Sequence, residues 1–166
     1  SVFRITMKVK ALFLDRDGVI NMERGDYTWK KEDISLLPDL IPFLNSAKKK
    51  GYTFFVITNQ GGIGKGIYTT KEYLEVEQYI ADLLAGENLF FEEVYYCPHH
   101  PTTGKCLCRK PGSLLLEKAI ARFNIDAGIS VMIGDRERDV VAANGAGVKG
   151  ILIESNSPLL PILEQI

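Results

Sequence analysis

Val9-Lys10-Ala11-Leu12-Phe13-Leu14-Asp15-Arg16-Asp17-Gly18 is the stretch on which the reading of this chain turns. A short apolar run of this kind suits a strand buried on both faces, and it delivers two carboxylates, two residues apart, into a glycine-assisted turn. One acid could then attack while the second carries protons, with room for a divalent metal between them and a phosphate. Asp-x-Asp-Gly also opens ordinary turns and Ca²⁺ loops. The rest of the chain has to decide between these readings.

Four further runs resemble the first: Thr53 to Ile57, Glu93 to Tyr96, Ile129 to Ile133 and Val148 to Ile153. Helical stretches alternate with them. Pro38 to Lys50 stops at Gly51, and Thr69-Thr70-Lys71-Glu72 reads as a capping box ahead of Tyr73, Val76, Ile80 and Leu84. Ser113 to Phe123 follows Pro111-Gly112, Asp139 to Asn144 stops at Gly145, and Ser157-Pro158 is expected to open a last short helix. Strand–helix alternation predicts an α/β fold, a mainly parallel sheet with helices on both sides. The 166 residues are expected to form one domain, 1–166, large enough for a real core.

Polar residues follow three of these strands. They are Asp15 and Asp17 after the first, Thr58-Asn59-Gln60 after the second, and Gly134-Asp135 after the fourth. In an open parallel sheet the carboxyl ends share one edge, so these groups are expected to meet there. Val19 to Leu37 is a long, mostly polar segment without a period, read as a flap over the mouth of the site. Tyr27 and Trp29 would anchor it on the body. Gln60-Gly61-Gly62-Ile63-Gly64-Lys65-Gly66 lacks Walker spacing and is either a turn that approaches phosphate or sugar, or a plain connector. Asp139 is equally well suited to capping the helix that follows it or to supporting the site.

A second cluster lies in one loop. All three cysteines and both histidines fall between Cys97 and Cys108. In extended backbone Cys97 pairs with His99 and Cys106 with Cys108, while His100 points elsewhere. Three Cys and one His suit a closed, structural zinc site; reduced thiols or one disulfide are the alternatives. Zinc would stiffen a loop that ends at Arg109-Lys110.

Net charge is −1, and Lys48-Lys49-Lys50 is the one cationic run, at a helix end. Nothing resembles the basic footprint of a nucleic-acid binder. No apolar span suits a membrane, and Ser1 to Thr6 lacks the apolar core of a secretion signal. A cytoplasmic monomer acting on a small molecule is the expectation.

DRDG, VITN, RKP and GDRERD, in that order, resemble the four motifs of the haloacid dehalogenase superfamily of phosphohydrolases. The resemblance implies a three-layer Rossmann-like fold, with Asp15 as the nucleophile and Asp17 as the acid that protonates the leaving alkoxide and later activates water. It further implies that Thr58 and Lys110 hold phosphoryl oxygens, and that Mg²⁺ is bound by Asp15, Asp135 and the Asp17 carbonyl. The Cys-x-His and Cys-x-Cys pairs before RKP are similar to those of the heptose-bisphosphate phosphatases and the related histidinol-phosphate phosphatases. That likeness implies zinc on Cys97, His99, Cys106 and Cys108. Too few residues separate Asp17, Thr58 and Lys110 for an inserted cap domain, so a capless enzyme is expected.

The DRDGVIN run, the Gly25-Asp26-Tyr27 flap and the turn after Thr58 look closer to the heptose group. By that likeness Glu23, Arg24, Asn59, Gln60, Arg109 and Arg136 are candidate substrate contacts. Arg24, Lys65, Arg109 and Arg136 could supply a second cationic patch for a bisphosphate. The six residues between His99 and Cys106, and the GDRERD run, are more like the histidinol-phosphate enzymes. Two more distant readings are a polynucleotide 3′-phosphatase and a phosphoacceptor signalling domain. The near-neutral charge weighs against the first, and the placing of both acids after one strand weighs against the second.

Overall fold

The computed structural model describes residues 7–166; the reading of Ser1 to Thr6 lies outside them. Five strands form one parallel sheet: β1 (Ala11–Leu14), β2 (Thr53–Asn59), β3 (Glu93–Cys97), β4 (Val131–Gly134) and β5 (Lys149–Leu152). Their spatial order is β3-β2-β1-β4-β5. Every residue of β1 and β4 is buried, while β3 and β5, at the edges, are partly open. Continuous apolar runs therefore mark the central strands best, as burial on both faces demands.

Strand alternation divides the core in two. Leu12, Leu14, Phe54, Val56, Val131 and Ile133 pack with helices α1 (Leu40–Lys49) and α2 (Thr70–Ala85). Ala11, Phe13, Phe55, Ile57 and Met132 turn to the other side and pack with α3 (Leu114–Phe123) and α4 (Glu137–Gly145). Burying a side chain such as Phe13 or Leu12 completely stabilises the fold by roughly 1.5–3 kcal/mol. The result is a three-layer sandwich with a parallel sheet at its centre.

The helix ends follow local chemistry. Thr69 and Glu72 form the expected capping box: the Glu72 amide donates to Thr69 Oγ1 at 3.1 Å and the Thr69 amide to Glu72 Oε1 at 3.0 Å. Gly51 follows α1 with φ +92°. Two expectations shift. Gly145 lies inside α4, and Gly147, with φ +76°, carries the left-handed turn beyond it. Ser157 and Pro158 do not open the final helix, a 3-10 segment at Leu160–Gln165. Asp39, far away in sequence, caps that region by accepting from the Leu159 and Leu160 amides at 2.7 and 2.9 Å. A contact between residues this distant leaves no trace in local sequence.

Register places the chemistry. Leu14 lies beside Val56 and Ile133, so residues 15, 58 and 135 leave the sheet along one edge. The strand order reverses at β1, between β2 and β4, and such switch points are where parallel sheets open a crevice.

Candidate active site at the carboxyl edge of the sheet

A cleft of about 340 Å³ opens at that point, with Asp15, Asp17 and Asp135 in its lining. Asp15 continues β1, its amide donating to the Ile133 carbonyl at 3.0 Å. The chain then turns at Gly18, φ +87°, where a side chain would also strike the Asp135 carboxylate. Glycine is needed there twice over, for its backbone and for its missing Cβ.

Lys110 comes up from beneath. It is 1% exposed, and its ammonium lies 2.9 Å from Asp15 Oδ1 and 2.7 Å from Asp139 Oδ1 while donating to the Ile57 carbonyl at 2.7 Å. Burial opposes the charged ammonium, but Asp15 and Asp139 outweigh it and hold its pKa above the ordinary lysine value. Burial pushes the Asp15 carboxyl up to about 8; Lys110 opposes this, and Asp139 and Asp135 add to it. Asp139 fills both roles open to it: Oδ1 pairs with Lys110, and Oδ2 accepts from the Arg136 amide at the start of α4 at 3.0 Å.

Thr58 is buried and lies off the cleft lining, its Oγ1 accepting from Gln60 Nε2 at 2.9 Å. Asn59 fastens the Lys110 backbone: its side chain accepts from the Lys110 amide at 3.0 Å and donates to the Lys110 carbonyl at 3.1 Å. Asp15, Asp135 and Asp139 offer oxygens within 4.8 Å of one another, a set that can hold a cation. The raised Asp15 pKa points the same way, because crowded buried carboxylates favour whatever supplies positive charge.

Among the expected substrate contacts, Glu23, Asn59, Gln60 and Arg136 line the cleft. Arg24 and Arg109 do not. Arg24 pairs with Asp33 at 3.2 Å within the flap, and Arg109 donates to the His99 carbonyl at 3.3 Å. The flap is a pinned structure: Asn156, after β5, accepts from the Glu23 amide at 2.7 Å and donates to its carbonyl at 3.0 Å. Trp29 stacks on Tyr68 with ring centroids 6.1 Å apart, and Tyr27 meets the same ring edge-on. Both therefore anchor the flap as expected, and Tyr27 lines the cleft as well.

Sequence reading missed Tyr68, Arg16 and Arg138. Tyr68 and Arg138 line the cleft, and Tyr68 Oη donates to Gln60 Oε1 at 2.5 Å. Arg16 is buried and donates to Asp17 Oδ1. A basic residue enclosed between two acids was the available signal for Arg16. Tyr68 carried none locally.

The cysteine loop closes on itself. Cys97 Sγ lies 3.4 Å from His99 Nδ1, 3.7 Å from Cys106 Sγ and 3.0 Å from Cys108 Sγ, and His99 Nδ1 lies 3.2 Å from Cys108 Sγ. All four atoms fall within 4.8 Å of one another, so the cluster can hold a metal ion. Bond lengths of about 2.0–2.3 Å to a tetrahedral metal imply ligand separations of about 3.3–3.8 Å; the Cys97 contacts with His99 and Cys106 match this, and the two contacts of Cys108 are shorter. Burial pushes the Cys97 thiol up to about 12, with Cys108 adding to it. The glycine-rich turn after Gln60 packs against this loop, Gly64 donating to the Pro98 carbonyl at 2.8 Å. Backbone of the loop lies where a side chain at Gly64 would go, and the His100 and Arg109 side chains crowd Gly61.

Residues 107–158 match the model of the HAD-hydrolase-like family. The chain is 41% identical over 151 residues to the D-glycero-beta-D-manno-heptose-1,7-bisphosphate 7-phosphatase of Helicobacter pylori, covering 90% of this chain and 86% of that one. It is 37% identical over 153 residues to the D-glycero-alpha-D-manno-heptose-1,7-bisphosphate 7-phosphatase of Burkholderia mallei, covering 89% and 80%. Among solved structures it is similar to D,D-heptose 1,7-bisphosphate phosphatase from B. bronchiseptica complexed with magnesium and phosphate. That match has a TM-score of 0.81 at 28% identity and covers 87% of this chain and 80% of that one. The motifs, the sheet and these likenesses agree: the chain belongs to the haloacid dehalogenase-like family of phosphatases.

Proposed function

We propose that this chain removes the 7-phosphate of D-glycero-D-manno-heptose 1,7-bisphosphate through a phosphoryl-enzyme at Asp15. The observation that carries the reaction is a buried carboxylate at the cleft, 2.9 Å from a buried lysine, with a second acid in the same lining. The substrate reading is supported by relatives in two bacteria named for that sugar.

In the first step a carboxylate oxygen of Asp15 bonds to phosphorus as the bond from phosphorus to the sugar oxygen breaks. Asp17 gives its proton to the leaving alkoxide. In the second step Asp17 takes a proton from water, whose oxygen bonds to phosphorus as the Asp15–phosphorus bond breaks, releasing inorganic phosphate. For Lys110 and Thr58 to hold phosphoryl oxygens, Lys110 would turn a donor from its present partners and Thr58 would turn from Gln60; a lost donor of that kind typically costs on the order of 100-fold in rate. Glu23, Asn59, Gln60 and Arg136 meet the sugar.

Asp15, Asp135 and the Asp17 carbonyl would hold Mg²⁺. When bound, it supplies positive charge that offsets repulsion between the Asp15 carboxylate and a phosphate dianion. Cys97, His99, Cys106 and Cys108 would hold a structural zinc. The enzyme acts as a capless single domain, a monomer in the cytoplasm. Among the described residues, no helix is long and apolar enough to cross a membrane.

The test compares kcat/KM for both anomers of the heptose bisphosphate and for histidinol phosphate, with Mg²⁺. A preference of about 100-fold for a heptose anomer, about 2.7 kcal/mol of transition-state binding, is expected. Preference for histidinol phosphate overturns the substrate, and hydrolysis of none of them overturns the reaction.

A further inference from the structure

Resting on the reading of Asp17 as the acid, we infer that Arg16 is a positioning residue. It occupies one oxygen of the Asp17 carboxyl, leaves the other to carry the transferred proton, and ties that geometry to the flap. Arg16 is 4% exposed, although it lies between two residues of the cleft. Its Nε and Nη2 both donate to Asp17 Oδ1, at 3.2 and 2.8 Å. Asn21 Nδ2, itself buried, donates to the same oxygen at 3.0 Å.

Three N–H donors on one carboxyl oxygen use its acceptor capacity fully, so Oδ1 cannot also bear a hydroxyl hydrogen. Oδ2 is different. It receives Gln60 Nε2 at 3.4 Å, and that nitrogen has a closer partner in Thr58 Oγ1 at 2.9 Å. The proton that Asp17 gives to the leaving alkoxide, and later takes from water, therefore resides on Oδ2.

The same Nη2 that reaches Asp17 also donates to the Thr28 carbonyl of the flap, at 2.7 Å. One nitrogen thus fixes the backbone of the flap relative to the proton-carrying group. Tyr68 makes a second tie: Trp29 and Tyr27 of the flap pack on its ring, and its hydroxyl donates to Gln60. A flap in place and a correctly turned Asp17 are then one arrangement.

The remaining nitrogen, Nη1, has no hydrogen-bond partner among the described residues. Leaving a buried donor unsatisfied costs roughly 1–3 kcal/mol. A guanidinium placed for stability would spend its forks evenly; this one directs two donors at a single oxygen of Asp17 and leaves a third idle. Such a local misfit is what a functional constraint produces.

The experiment measures single-turnover phosphoryl transfer to the enzyme, by rapid quench, in the wild type, Arg16→Met and Arg16→Lys. Heptose bisphosphate loses a poor alkoxide that needs a proton, whereas p-nitrophenyl phosphate loses a phenolate that does not. Positioning of the acid matters for the first and little for the second. The expected result is a rise of about 30-fold or more, in Arg16→Met, in the ratio of the aryl to the sugar rate, a partial loss of the roughly 100- to 10,000-fold that a general acid contributes. Arg16→Lys keeps the cation but loses the planar fork, so the ratio rises there too. That variant decides alone if Arg16→Met does not fold.

Both rates falling by one factor, or neither falling, overturns the inference, because a merely structural role depresses both alike. A wild type that forms no phosphoryl-enzyme from either substrate overturns the parent reading instead.

Discussion

Replacing Lys110 with Met tests the electrostatic centre of this site. Methionine keeps most of the stem's length and removes the charge. Lys110 is 1% exposed and sits between Asp15 and Asp139, at 2.9 and 2.7 Å. Removing one partner of a buried ion pair costs on the order of 3–5 kcal/mol, since the remaining charge loses its compensation. Here two carboxylates lose the same cation. Proton uptake limits the damage. Asp15 is already pushed up to about 8, with Lys110 opposing the shift. Without Lys110 the pKa rises further, and the carboxyl stays neutral to higher pH. The expected loss is therefore about 3 kcal/mol, at the low end of that range.

The pH dependence follows from the sign of the shift. A carboxyl whose folded pKa lies above its unfolded value of 3.8 binds more protons folded than unfolded. Stability then falls as pH rises through the interval between the two values, and recovers on acidification. Urea unfolding of metal-free protein at pH 7 and 9.5 would show the variant's deficit larger at the higher pH, because above about 8 the wild-type carboxyl ionises beside Lys110 while the variant's stays neutral. With no ammonium to favour the attacking, anionic form of Asp15, kcat/KM should fall about 1000-fold or more. A variant within about 1 kcal/mol of the wild type at both pH values would refute the argument that Lys110 compensates buried carboxylates.

Asp15→Asn should abolish turnover and phosphoryl-enzyme formation, since an amide cannot accept the phosphoryl group; residual phosphorylation detected by mass spectrometry would contradict this. Purified protein should contain about one zinc per chain by elemental analysis, and a content near zero would sink the zinc assignment. Gly18→Ala should destabilise the fold by about 1–2 kcal/mol and slow turnover, because it strains a positive φ and crowds Asp135; an unchanged melting curve would count against both effects.

The sheet and its catalytic edge are legible in the sequence because the signals are local and repeated. Each central strand is a continuous apolar run, and each ends in polar residues that register then aligns: Asp15, Thr58 and Asp135. The metal-type cluster is legible for a similar reason, since Cys97, His99, Cys106 and Cys108 lie within one loop. What cannot be read is whatever depends on distant parts of the chain meeting. Arg24 turns to Asp33 and Arg109 to the His99 carbonyl, so two residues with the right charge leave the cleft lining. Tyr68 enters it from just ahead of α2 and carries the flap on its ring. Charge and residue type announce a candidate, but direction is decided by tertiary neighbours.

The charge balance of the cleft explains why its parts belong together. Its lining carries the acids Asp15, Asp17, Glu23, Asp26 and Asp135, against Arg136 and Arg138. An anion approaching such a surface meets net repulsion, and Lys110, spent between two carboxylates, cannot reverse it. A site built for a phosphate dianion therefore has to recruit further positive charge, and the carboxylates that repel the substrate are hard oxygen ligands able to do so. Burial, with Asp139 and Asp135 beside it, raises the Asp15 pKa, so positive charge recruited there would favour its anionic, attacking form. Two acids of one type, two residues apart, thus have different surroundings. Asp15 is enclosed with Lys110, Asp135 and Asp139, and Asp17 is held through one oxygen by Arg16 and Asn21.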